Sequence, residues 1–116
     1  MLEFRAMDEQ EFRRHADTAM ESLKHSLIEA EGDADFEVED QGGALHISFE
    51  EPPGRFVISP NAPAKQIWIS ALSTSFKLDW NDDLNDFVLA KSGEELKPLV
   101  SRLMNQQLAA EAIDLD

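Results

Sequence analysis

The sequence contains no cysteine. That excludes disulfide staples, a thiolate metal site and a cysteine nucleophile, and it fits a reducing compartment. Bases are scarce: 10 Lys and Arg stand against 24 Asp and Glu, for a formal net charge of −14. Nucleic acid and anionic lipid both need Lys/Arg to displace their counterions, so neither is an expected partner. No apolar run approaches the roughly 20 residues that span a bilayer, so no membrane helix is expected. No Gly-x-x-x-x-Gly-Lys loop or Gly-x-Gly-x-x-Gly turn occurs, so nucleotide binding has no support. The start lacks the charged-then-apolar pattern of a signal peptide and is too acidic for a transit peptide. With Met1 in place, that points to a bacterial cytoplasm. The alternative is a mitochondrial matrix protein after processing.

What is present suffices for one core. The chain has 116 residues, 42% of them hydrophobic, and shows no repeat, linker or low-complexity tract, so a single domain over 1–116 is expected. The charge is uneven: residues 1–51 hold 15 acids and 4 bases, residues 52–116 hold 9 and 6. Cations and basic protein surfaces are the favoured partners of such a chain.

Met7 to Ala30 reads as a long amphipathic helix. Phe12, Ala16, Ala19, Met20, Leu23, Leu27 and Ala30 follow the three-four spacing of one buried stripe. Asp8 and Glu11 form a capping box, and Met7 can staple onto Phe12. A left-handed glycine near Glu31-Gly32 should end the helix. The middle alternates like short antiparallel strands: Phe36–Glu39, Leu45–Phe49, Arg55–Ser59, Gln66–Ser70, Phe76–Trp80 and Phe87–Ala90. Gly42-Gly43, Pro52-Pro53-Gly54, the stretch between Pro60 and Pro63, and Asn81–Asp86 are the expected turns. A second helix carries Leu96, Leu99, Val100, Leu103, Met104 and Leu108, with Ser92 and Glu95 as its capping box. Pro98 requires either a helix start close to it or a kink. Helix, meander, helix implies an α+β fold: a two-layer αβ sandwich with both helices on one face of an antiparallel sheet, its core spanning about residues 8–108.

Asp17, Glu21, His25 and Glu29 fall at i, i+4, i+8 and i+12, one row on the helix side away from the stripe. Like charges at this spacing cost roughly 0.2–0.5 kcal/mol per pair. Glu31, Asp33, Asp35, Glu37 and Glu39 continue the negative field into the first strand. The plainer reading is a solvated face that aids solubility. The sharper one is an open, low-affinity cation site at Asp17, Glu21, His25, Glu29, Glu31, Asp33 and Asp35. Hard divalent cations suit carboxylates, and His25 makes iron(II) or manganese more apt than calcium or magnesium. No EF-hand loop or His-Glu-x-x-His motif occurs, and His15, His25 and His46 have no nucleophile at motif spacing, so no catalytic residue is nominated. Strict alternation sends Trp68 to the sheet face opposite Ile67 and Ile69. There it is either an interface anchor or covered by its neighbours.

The stretch Pro63-Ala64-Lys65-Gln66-Ile67-Trp68-Ile69-Ser70 resembles the frataxin family, called CyaY in bacteria, whose signature is Asn-x-x-x-Pro-x-x-Gln-(Ile/Val/Leu)-Trp-(Leu/Ile). Phe12–Asp17 and Gly42–Ile47 upstream, and Leu78-Asp79-Trp80 and Ser92–Leu96 downstream, extend the likeness over about 8–108. The resemblance implies an acidic ridge that binds iron (Fe2+/Fe3+) weakly, possible weak ferroxidase activity on the side, and a role in iron–sulfur cluster assembly. It further implies docking on a cysteine desulfurase and its scaffold protein, by a chain that is monomeric without metal. The partner-facing set is then Ser59, Lys65, Gln66 and Trp68. Ser59 stands where the signature has asparagine, Phe87 where the family usually has tryptophan, and Lys24, His25 and Ile28 where the ridge is often acidic. The rival reading is an acidic αβ interaction module, such as a secretion-type chaperone, with no metal role.

Overall fold

The computed structural model describes residues 7–32, 34–109 and 113–115. Helix α1 (Glu9–Ala30) leads into strands β1 (Phe36–Gln41), β2 (Ala44–Glu50), β3 (Pro53–Asn61), β4 (Gln66–Ala71), β5 (Thr74–Asn81), β6 (Asp86–Leu89) and β7 (Glu94–Glu95), and helix α2 (Leu96–Leu108) follows. The strands form one antiparallel sheet in sequential order, β1 to β7. Both helices pack on the same face, so the expected two-layer α+β sandwich is what the chain adopts.

Alternation decides the layers. Leu45, Ile47 and Phe49 on β2, Phe56 and Ile58 on β3, and Ile67 and Ile69 on β4 are all buried against the helices. From α1 they meet Phe12, Ala16, Met20, Leu23 and Leu27, and from α2 Leu96, Leu99, Val100, Leu103 and Met104.

Helix α1 begins as its capping pattern requires: the Glu11 amide donates to Asp8 Oδ1 at 2.8 Å. Met7 packs against the core. The end differs from expectation. Gly32 does not adopt the left-handed conformation, and the C-cap is Glu31 in a right-handed helical conformation, its amide donating to Leu27 and Ile28 carbonyls. The Glu31 carboxylate instead turns to β1, where Oε2 accepts the Val38 amide at 2.8 Å.

Helix α2 also starts differently. Ser92 is not its cap: the Ser92 hydroxyl accepts the Glu94 amide and donates to Glu94 Oε1. Pairing of Glu94 with Leu89 and Glu95 with Val88 keeps this segment extended and delays the helix to Leu96. Pro98 is then the third helical residue, where a missing amide costs no intrahelical hydrogen bond. Pro60 likewise lies inside β3, opposite Ile67, and the turn is confined to the residues after Asn61.

The core also runs past residue 108. Ile113 and Leu115 are buried, and two α2 side chains hold this segment. Asn105 accepts the Ile113 amide and donates to the Ile113 carbonyl, both at 2.9 Å, while Ser101 Oγ accepts the Leu115 amide at 3.0 Å.

Candidate functional site

The stripe that buries α1 leaves Asp17, Glu21, His25 and Glu29 exposed together on its outer side. Their geometry is loose. His25 Nε2 lies 3.4 Å from Glu21 Oε1, with the two side chains 72% and 65% exposed. Among the described residues, no Lys or Arg makes an ion pair with Asp17, Glu21 or Glu29. Of the nearby bases, Arg13 pairs with Glu9 at 2.9 Å and Lys24 reaches Asp40 of β1 at 3.4 Å, while Arg14, exposed at the upper end of the row, tempers its field without an ion pair among the described residues. Among the described residues, the three carboxylates of the row therefore have no Lys or Arg counterion, and His25 is the basic side chain at contact distance.

Glu31 and Asp35 belong to a different place. They open onto a cleft of about 380 Å³, bounded also by Glu37, Ser48, Glu50 and Glu51. Glu50 and Glu51 were not legible as part of this region because they lie far along the chain. The antiparallel register, Phe36 opposite Phe49, brings the end of β2 beside the start of β1. Asp33 lies outside the described residues. Among those described, no three His, Asp or Glu side chains converge in a way that could hold a metal ion. The carboxylates thus form an extended field with donors singly or in pairs.

The second surface is the outer face of the sheet. Ser59 of β3 is directly opposite Trp68 of β4, and Trp68 is directly opposite Lys77 of β5. Trp68 is half-buried, so its side chain is partly covered and partly exposed. Lys77 Nζ sits 4.8 Å from the ring centroid, within cation–π range. Indole Nε1 donates to Gln66 Oε1 at 2.9 Å, and Gln66 Nε2 donates to Asp79 Oδ1 at 2.9 Å. Lys65 sits apart in the tight turn before β4, with a left-handed backbone (φ 56°) and its amide bonded to the Ala62 carbonyl. That turn is stabilised by Asn61, whose Oδ1 accepts the Ala64 amide at 3.0 Å. Ser59, Gln66 and Trp68, which the family resemblance groups, lie on this one face, and Lys77 and Asp79, absent from that set, lie there with them. Cross-strand register was the missing signal: Gln66 faces Asp79 as Trp68 faces Lys77.

Elsewhere, charge is tied into the fold. Arg102 grips Glu94 through Nε and Nη2, at 2.6 and 2.9 Å, which holds the Glu94 carboxyl below its usual value and the guanidinium above its own. Among the described residues, no helix is long and apolar enough to cross a membrane.

Three comparisons with known proteins bear on this arrangement. The chain is 27% identical over 106 residues to the iron-sulfur cluster assembly protein CyaY of Pseudomonas fluorescens (strain Pf0-1), covering 91% of this chain and 94% of that protein. Its fold is similar to that of the frataxin from Psychromonas ingrahamii, solved as a model to study stability modulation within the CyaY protein family. That match has a TM-score of 0.78 at 23% identity and covers 93% of this chain and 97% of the other. The model of the frataxin-like domain matches residues 5–110, nearly all of the helix–meander–helix sandwich described above, and the chain belongs to that family.

Proposed function

We propose that this chain acts in iron–sulfur cluster assembly as a docking and iron-handling protein rather than as a catalyst with a fixed pocket. The observation that carries this reading is the row of Asp17, Glu21 and Glu29, exposed and, among the described residues, without Lys or Arg partners. Such a row raises the free energy of the isolated molecule, and an approaching cation or basic surface lowers it again. Family membership and the name of the Pseudomonas relative support the assembly role. The partner assigned to α1 and β1 is the basic surface of a cysteine desulfurase. The partner assigned to Ser59, Lys65, Gln66 and Trp68 is the scaffold protein. A bacterial cytoplasm is the setting, and the protein is a monomer in the absence of metal.

Iron fits the donors by chemistry and only weakly by geometry. Carboxylate oxygens and one imidazole suit Fe2+ and Fe3+. Asp17, Glu21, His25 and Glu29, with Glu31, Asp33 and Asp35, are the residues that would hold it. Because donors come singly or in pairs, water completes the coordination, affinity is low and other divalent cations compete. Glu31 is the weakest member, since one of its oxygens already accepts the Val38 amide.

Paramagnetic manganese(II) titrated into the 15N-labelled protein tests the cation site. Amide signals of Glu21, His25, Glu29 and Glu31 should broaden first, while those of Leu99 to Met104 in α2 stay sharp. Broadening that begins in α2, or none at millimolar metal, contradicts the site.

A further inference from the structure

The donor and acceptor chemistry on the outer sheet face runs in one direction only. An indole N–H can donate and cannot accept. An ionised carboxylate can accept and cannot donate. Gln66 sits between the two, so its carbonyl must face Trp68 and its amide must face Asp79, which is the arrangement seen, with both bonds at 2.9 Å. Reversing the Gln66 amide would set N–H against N–H and oxygen against oxygen. The relay therefore has one stable polarity. It fixes the Gln66 side chain, and through it the plane of an indole that would otherwise rotate about two side-chain torsions.

We infer that Asp79 is a positioning residue for Trp68, acting through Gln66, and that Trp68 meets its partner through an open carbon surface of the ring rather than through its N–H. This rests on the docking reading of the sheet face given above. Two sides of the indole are already taken, the N–H by Gln66 and one ring face by Lys77. What remains is apolar. Lys77 makes no ion pair among the described residues, so a cation stands unpaired at the edge of that apolar surface. The complementary feature on the scaffold protein is an apolar side chain with a carboxylate beside it. A rigid aromatic presented this way loses little side-chain freedom when it docks, which is how preorganisation raises affinity.

Asp79→Ala and Asp79→Asn separate positioning from general stability. In Asp79→Ala the indole N–H resonance should move, and its exchange with water should speed up about three- to tenfold, the range expected for one lost hydrogen bond. Affinity for the scaffold protein in its complex with the desulfurase should fall by about the same factor. Asp79→Asn keeps an oxygen acceptor and should restore both readouts to within about twofold of wild type. An indole resonance and exchange rate unchanged in Asp79→Ala would overturn the relay, whatever any partner does. If Trp68→Ala weakens binding and Asp79→Ala leaves it unchanged, the positioning role is wrong while docking stands. If neither substitution changes binding although the indole signal moves, the docking reading at this face fails instead.

Discussion

Asp86, at the start of β6, carries a strain that its neighbours do not relieve. Burial raises its carboxyl above the usual aspartate value; the Phe87 amide opposes this through a 2.7 Å bond, Glu95 adds to it by repulsion and hydrogen bonding, and Lys97 acts weakly the other way. A folded-state value above the unfolded one means that the ionised form penalises folding at neutral pH. The penalty fades as pH falls through the raised value towards 3.8, where the folded carboxyl has taken up its proton. Asp86→Asn keeps an acceptor for Phe87 and removes the charge, so it should raise the urea midpoint at pH 7. That gain should shrink on moving to pH 4, and an equal gain at both pH values would disprove the linkage. Glu94 runs the opposite way: its contribution with Arg102 is present at neutral pH and is lost as pH falls through its lowered value. At the same scale, the Leu72-Ser73 turn explains one gap in the sequence reading. Both residues have positive φ, 52° and 60°, in a two-residue hairpin between Ala71 and Thr74. Such turns normally announce themselves with Asn-Gly or Gly, as Gly42-Gly43 does, and this one does not.

Among the elements, the carboxy-terminal segment stabilises more than its length suggests. It adds Ile113 and Leu115 to the core, at 4% and 7% exposure, and is tied to α2 by the paired bonds of Asn105. Asn105→Ala removes both bonds and should destabilise the fold by about 1–3 kcal/mol, since it leaves part-buried backbone groups unpaired. Ile113→Ala should cost about 2–4 kcal/mol by cavity formation. Urea denaturation checks both; midpoints equal to wild type would mean the segment is not part of the cooperative core. Helices and strands with strong periodicity were legible in the sequence: α1 within two residues at its start, and β2 and β4 with their inward faces correct. The start of α2 was half legible: Pro98 allowed a start close to it, as found at Leu96, but Ser92 and Glu95 match a capping box locally that strand pairing with Leu89 and Val88 overrides. The tail was missed because its two apolar residues are too few to show any period.

On the scale of the whole molecule, charge and apolar contact are divided between two surfaces. The helix side carries Asp17, Glu21 and Glu29 without Lys or Arg counterions among the described residues, and the outer sheet face carries a fixed indole beside a lysine. The first was legible because helical spacing needs only local sequence. The second was half legible: alternation placed Trp68 and Gln66 and the family resemblance added Ser59, but Asp79 and Lys77 join them only through register between strands. The same holds for the cleft where Glu50 and Glu51 come beside Asp35. The proposed function requires that the carboxylate row meet a basic partner. The direct measurement is the affinity for a cysteine desulfurase as a function of salt, for wild type and for Glu21→Lys/Glu29→Lys. Wild-type affinity should fall steeply with added salt. The double variant should bind about tenfold or more weakly at low salt, with a flatter salt dependence. Equal affinities and parallel salt slopes for the two proteins would contradict the central claim.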